Sequence, residues 1–95
     1  MSDIMRKFNL DGQTAIITGG AGLLGKPFSR TLAEAGASVL VADLNIEAAE
    51  AHVADLRRNG LSAKAKKVDV TDPESIDAMV HEAVSAFGGL DILVN

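Results

Sequence analysis

The residues best suited to chemistry in this sequence form one turn, Thr18-Gly19-Gly20-Ala21-Gly22-Leu23-Leu24-Gly25. It follows a β-branched run and opens a helical pattern, which is the context in which a glycine motif binds phosphate. Gly19 is expected to let the chain turn sharply off the strand, where a Cβ would clash. Gly22 would let the backbone approach a pyrophosphate, and Gly25 would let the helix pack closely on the strand. Leu23 and Leu24 complete the turn and count with these glycines as candidate cofactor-binding residues. The N-terminus of the helix beyond presents unpaired N–H groups and a partial positive charge to an anion.

Three more groups fall where strands are expected to end, the edge at which open α/β sheets bind ligands. Asp43, followed by Leu44, lies roughly twenty residues past the loop, where an acid accepts hydrogen bonds from ribose hydroxyls. An acid there repels a 2′-phosphate, so Asp43 favours NAD over NADP. Asp69 could accept from an adenine amino group while Val70 packs on the ring, although a helix-entry acid reads almost as well. Asn95 ends the fourth strand.

The remaining polar residues offer less. His52 and His81 lie on helical segments among Ala, Glu and Asp, are expected to face solvent, and have no partner at metal-ligand spacing. Ser29, Ser75 and Ser85 have no base nearby in sequence, and Glu47, Glu50, Asp55 and Glu82 read as a solvated face. Lys26 follows the loop and could touch a phosphate, but such a lysine more often points to solvent.

The elements that must position these groups alternate. Thr14 to Thr18 and Ser38 to Asp43 read as buried strands, apolar on both faces as parallel strands are. Ala63 to Val70 reads as a third strand, with early lysines that suit a sheet edge, and Leu90 to Val94 as a fourth. Between them run three helical patterns. Leu24, Phe28, Leu32 and Ala35 mark the first, with Pro27 in its first turn, where a missing N–H is harmless. Ile46, Ala49, Val53 and Leu56 mark the second, with Arg57 and Arg58 complementing its C-terminal dipole. Ile76, Met79, Val80, Ala83 and Phe87 mark the third. Its start fits either a Thr71/Glu74 capping box or an Asp72 cap followed by Pro73. Gly36, Gly60 and Gly88-Gly89 end the helices. Asp11-Gly12 is a turn, and Phe8 and Leu10 are possible anchors of the leader. Alternating strands and helices give an α/β fold with a parallel sheet. The connection rules order its four strands 3-2-1-4, with two helices on one face and one on the other. Apolar strand surface around Ile16, Val39 and Leu93 is expected to be only partly covered.

Composition narrows the classes. The chain of 95 residues allows one domain, and 47% hydrophobic residues supply a core. A net charge of -4, with no basic patch beyond Lys64, Lys66 and Lys67, argues against nucleic acid. Without cysteine there is no disulfide framework and no thiolate metal site. The most apolar stretch, Ala15 to Leu24, is broken by glycines and too short to span a bilayer. The N-terminus has no apolar signal core, so a cytoplasmic protein is the expectation.

The sequence resembles the short-chain dehydrogenase/reductase family along almost its whole length. The resemblance is carried by Leu10-Asp-Gly-Gln-Thr-Ala-Ile-Ile-Thr-Gly19, the glycine loop, Asp43, Val68-Asp-Val-Thr71 and Gly89-Leu-Asp-Ile-Leu-Val-Asn95. It implies a Rossmann-type sheet, a nicotinamide cofactor, and hydride transfer between nicotinamide and a small carbonyl or alcohol. It also implies that Asn95 begins a segment supporting the fourth strand and the adenosine side of the site. Two departures bear on this. Compact-subunit members usually space the loop TGxxxGxG; here Leu23 stands at the middle glycine and Gly22 supplies it one residue early, as in long-subunit sugar-nucleotide epimerases and dehydratases. The ending Leu90-Asp-Ile-Leu-Val-Asn95 resembles the compact group. Secondly, the family's catalytic tyrosine, lysine and serine have no counterpart, and the sequence contains no tyrosine. Residues 1–95 thus read as the N-terminal, dinucleotide-binding part of a Rossmann domain, incomplete at its C-terminal end and inactive alone. The alternatives are a nucleotide-binding or interaction module completed by a partner, and a fragment of a long-subunit enzyme.

Overall fold

The computed structural model describes residues 9–95; Phe8 lies outside them. Among the described residues, strands β1 (Thr14–Thr18), β2 (Ser38–Asp43), β3 (Ala63–Lys67) and β4 (Ile92–Val94) alternate with helices α1 (Gly25–Glu34), α2 (Ile46–Arg58) and α3 (Pro73–Phe87). The strands form one parallel sheet in the order β3-β2-β1-β4. Ala15 pairs with Val39 on one side and Ile92 on the other, and Val41 with Ala65. This is the Rossmann-type α/β arrangement expected from the sequence.

Because side chains alternate along a strand, β1 and β2 feed two cores at once. Ala15, Ile17, Val39 and Val41 pack with Ala33 of α1 and with Ala49, Val53 and Leu56 of α2. Ile16, Leu40 and Ala42 pack with Val68 and with Met79 and Ala83 of α3. Burying side chains such as Leu56 and Met79 from water contributes roughly 1.5–3 kcal/mol each. Ile16 and Val39 are therefore fully buried, against expectation, because one helix layer reaches each face of the two central strands. Leu93, on the outer strand, is about half exposed at 51%.

Three other expectations are corrected. Helix α1 buries only the end of its apolar stripe, where Leu32 packs partly against the core and Ala35 is buried. Within Gly25–Glu34 the buried residues are Ser29 and Ala33, while Leu24 and Phe28 are exposed. Small residues make its inner contacts: Ala33 packs with the sheet core, Ser29 lies against His52 and Gly25 sits on the glycine loop. Strand β3 ends at Lys67 rather than Val70. Its partner β2 ends at Asp43, so after Val68 donates its N–H to the Asp43 carbonyl the ladder has nothing to continue on. Strand β4 begins at Ile92 rather than Leu90, since Asp91 is engaged with Thr14: its N–H donates to the Thr14 carbonyl, and its Oδ2 accepts from the Thr14 N–H at 2.8 Å.

The start of α3 resolves the open choice. Asp72 caps it, Oδ1 accepting from the Glu74 N–H at 3.0 Å, and Pro73 takes the first position. Thr71 bonds elsewhere. Asn45 likewise caps α2 through the Ala48 N–H. No helix among the described residues is long and apolar enough to cross a membrane.

Candidate functional site

The C-terminal ends of β1, β2 and β4 and the segment after β3 open on one side of the sheet. At the end of β1 the chain turns through Gly19, whose φ of +67° lies in the left-handed region that favours glycine. A Cβ there would meet nothing within 4 Å, so the backbone angle, and not the expected clash, calls for glycine. The requirement at Gly25 is spatial: a Cβ would lie 2.1 Å from the Gly19 carbonyl oxygen and 2.7 Å from the Gly20 Cα. This close approach sets the first turn of α1 directly on the loop.

The loop's hydrogen bonds fall into two groups. The N–H of Gly20 donates to Ala42, that of Ala21 to Asp43 Oδ2 at 3.1 Å, and that of Gly22 to Gly19. Among the described residues the N–H groups of Leu23, Leu24 and Gly25 have no acceptor. Unlike Asn45 and Asp72, Leu24 at the N-cap of α1 supplies no side-chain acceptor, and the first turn holds no acid. The helix thus directs unpaired donors and the positive end of its dipole at the loop.

The expected site residues line two adjoining cavities that share Gly19. One, of about 470 Å³, is bordered by Gly22, Leu23, Leu24 and Gly25 on one side and by Asn95 on the other. Leu23 and Leu24 are almost fully exposed there. The second, of about 300 Å³, is bordered by Asp43, Leu44, Asp69 and Val70. Leu44 and Val70 also expose most of their side chains. Lys26 is exposed and borders neither cavity.

Asp43 is more constrained than its sequence position implied. Oδ1 accepts from the Asn45 N–H at 3.0 Å while Oδ2 holds Ala21, so the carboxylate ties the end of β2 to the glycine loop. Asp69 is held by Thr71, whose Oγ1 and N–H both donate to Oδ1, at 2.6 and 2.9 Å. These bonds, the side-chain one first, hold the Asp69 carboxyl below the usual carboxylate range. Asn95 lies beside Thr18, whose hydroxyl is 3.2 Å from the Val94 carbonyl and 3.4 Å from Asn95 Oδ1.

Sequence reasoning gave several groups no role in the site. Thr18 and Phe28 border the larger cavity and Thr71 the smaller. Position at a strand end was a usable signal for Thr18. His52 does not face solvent. It is buried, with Nε2 2.7 Å from Ser29 Oγ. The Ser29 hydroxyl also donates to the Lys26 carbonyl at 3.1 Å. Burial first, then the Arg30 and Lys26 charges, push the His52 pKa down. Asp55 is not merely solvated, as it bridges Arg30 of α1 and Arg58 of α2. Glu82 pairs with Lys64 at 2.6 Å, which holds its carboxyl below the usual range. Among the described residues no three His, Cys, Asp or Glu gather as a metal site.

This arrangement has counterparts. A family model described as short chain dehydrogenase matches residues 13–95. The chain is 45% identical over 95 residues to 3beta-hydroxysteroid dehydrogenase 2 of Eggerthella lenta, which takes in 100% of this chain and 36% of that protein. It is 46% identical over 86 residues to a sorbitol dehydrogenase of Cereibacter sphaeroides, 90% of this chain and 32% of that protein. A solved structure of a 7 alpha-hydroxysteroid dehydrogenase complexed with NADH and 7-oxo glycochenodeoxycholic acid matches with a TM-score of 0.91 at 40% identity, over 100% of this chain and 37% of that one. The chain spans about a third of the length of the curated relatives it matches.

Proposed function

The chain belongs to the short chain dehydrogenase family, and on that premise we propose that it builds the dinucleotide site of an NAD-dependent oxidoreductase. The observation that carries the proposal is the uncapped N-terminus of α1. Among the described residues, three N–H groups there are unpaired and the first turn holds no acid, behind a glycine loop between Asn95 on one side and Asp43 and Asp69 on the other. The donor set fits a pyrophosphate, and the acids fit the neutral, hydroxyl- and amino-bearing half of a dinucleotide.

In this reading the loop N–H groups hold the pyrophosphate, Asp43 accepts from the ribose hydroxyls, and Asp69 with Val70 receives the adenine. Leu44 forms the outer wall of that end, and Asn95 supports β4 beside the loop. Nicotinamide, when bound, supplies the hydride acceptor or donor for a small alcohol or carbonyl. This chain's residues bind and orient the cofactor. The sequence holds no tyrosine to serve as the acid for the proton of the alcohol, and Ser29 is buried against His52. Residues 1–95 are in this proposal the cofactor-binding part of a larger catalytic domain. The relatives named above are dehydrogenases of hydroxysteroids and a polyol. They support a dehydrogenase over the sugar-nucleotide enzyme to which the Gly22 spacing also pointed.

The test is calorimetric titration of the chain with NAD and NADP. NAD is expected to bind more tightly by about tenfold or more, since the Asp43 carboxylate would lose a charge-assisted hydrogen bond worth roughly 1.5–3 kcal/mol and face a phosphate instead. Asp43→Asn keeps an acceptor for the Ala21 N–H, gives up the one for the Asn45 N–H and removes the charge, and is expected to narrow the ratio. Equal affinity for the two cofactors in the unaltered chain would refute the assignment of Asp43.

A further inference from the structure

Asp69 lies two residues beyond the end of β3, on an exposed segment where the strand ladder no longer fixes it. Four hydrogen bonds fix it instead. Its N–H donates to Ser75 Oγ at 2.9 Å. Its carbonyl accepts from the Asp72 N–H at 3.1 Å. Its Oδ1 accepts from both the N–H and the hydroxyl of Thr71. Both main-chain polar groups and one carboxylate oxygen are therefore engaged. Oδ2 alone has no partner among the described residues. Asp69 and Thr71 border the same cavity of about 300 Å³, with Asp43 across it.

We propose that Thr71 and Ser75 are positioning residues that fix Asp69 with one free carboxylate oxygen, and so set a preference for a 6-amino purine over a 6-oxo purine. The inference rests on the reading of this cavity as the adenine end of a dinucleotide site. Its chemistry is a matter of donor and acceptor. An ionised carboxylate only accepts. A 6-amino group gives it a proton to accept, whereas a 6-oxo group sets a lone pair against it. The preference depends on orientation, because an aspartate free to rotate loses its alignment to water and to other rotamers. Thr71 removes that freedom at the side chain. Ser75, in the first turn of α3, removes it at the backbone. Helix α3 is itself seated on the sheet through Met79 and Ala83, which makes the clamp rigid.

The experiment is a titration, followed by ¹⁵N-resolved amide shifts, of the chain with NAD and separately with nicotinamide hypoxanthine dinucleotide. The unaltered chain is expected to prefer NAD by roughly tenfold, the size of one charge-assisted hydrogen bond at an exposed site. Thr71→Val and Ser75→Ala are expected to bring the two affinities to within about twofold, chiefly by weakening NAD, and Thr71→Ser to restore the preference. The paired ligands make the ratio independent of any general loosening of the loop. If both variants weaken the two ligands by the same factor and keep the ratio, Thr71 and Ser75 only shape the pocket and the positioning role falls, while the dinucleotide site stands. If the unaltered chain binds the two ligands equally, Asp69 does not read the amino group and the inference falls alone. If it binds neither, the dinucleotide reading falls and takes this one with it.

Discussion

His52 shows what a single residue can hide in a sequence. Its helical neighbours are polar, yet its ring is buried against Ser29 of the adjacent helix, a contact 23 positions away in the chain. Ser29 Oγ lies 3.1 Å from the Lys26 carbonyl and 2.7 Å from His52 Nε2, so the buried ring shares a hydrogen bond with the serine whose direction follows the tautomer. Arg30 and Lys26 act against a second proton, and Asp55 favours it but is shared with Arg30 and Arg58. The folded pKa is therefore lowered, while the unfolded chain keeps a value of about 6.5. Between those two values the unfolded state binds more protons, so stability falls as pH drops below about 6.5 and levels off below the folded pKa. Denaturant midpoints at pH 7.5 and 5.5 are expected to differ in the wild-type chain and to converge in His52→Gln. Asp69 and Glu82 lie in a separate window. Their folded values are lowered, so their stabilisation is present above an unfolded value of about 4 and is lost only in stronger acid. An unchanged pH dependence in His52→Gln would mean that the ring is solvated.

At the scale of elements, α1 separates two kinds of pattern. The Leu24, Phe28, Leu32 and Ala35 stripe has helical spacing, but only its Leu32 and Ala35 end turns inward, beside Ala33, while Leu24 and Phe28 are exposed. Periodicity of large apolar residues locates a helix. It does not identify the buried face when close packing requires small side chains. Ala33→Leu is accordingly expected to cost about 1–3 kcal/mol by overpacking, and Phe28→Ser to cost much less. In a domain of this size, 1 kcal/mol corresponds to roughly 4–8 °C in melting temperature, which makes thermal unfolding a sufficient measurement. A larger loss in Phe28→Ser would return the core to the Leu/Phe stripe. Strands β1 and β2 were legible to the residue because β-branched runs stop at turn-forming residues on both sides. β3 was read too long, since Val68-Asp69-Val70 alternates like a strand and the limit comes from its neighbour. The ladder ends where β2 ends, a fact of pairing that no local window contains. The candidate site was legible because its residues fall at strand ends. The clamp on Asp69 was not, because it depends on a serine six residues away on the next helix.

For the molecule as a whole, the two sheet edges differ in kind. β3 carries Lys64, Lys66 and Lys67, a charged border that discourages strand addition. β4 is three residues long, paired on one side with β1, and bears Leu93 at 51% exposure. Leu93 pairs with Ile16, which faces the α3 core, and α3 itself exposes Val84. On the opposite face Val94 borders the cavity that contains Leu24 and Phe28. Among the described residues, apolar surface therefore flanks β4 above and below an edge that pairs with no further strand, the combination that promotes association. The chain is expected to self-associate with rising concentration, and Leu93→Thr, which keeps β propensity while removing apolar surface, is expected to shift that association to higher concentration. Sedimentation velocity over a hundredfold concentration range measures it. Lys66→Thr, at the other edge, is the control and is expected to leave β4-mediated association in place. A monomeric wild-type chain across the whole range would show that the β4 border is not adhesive. Equal effects of the two substitutions would place the contact elsewhere on the surface.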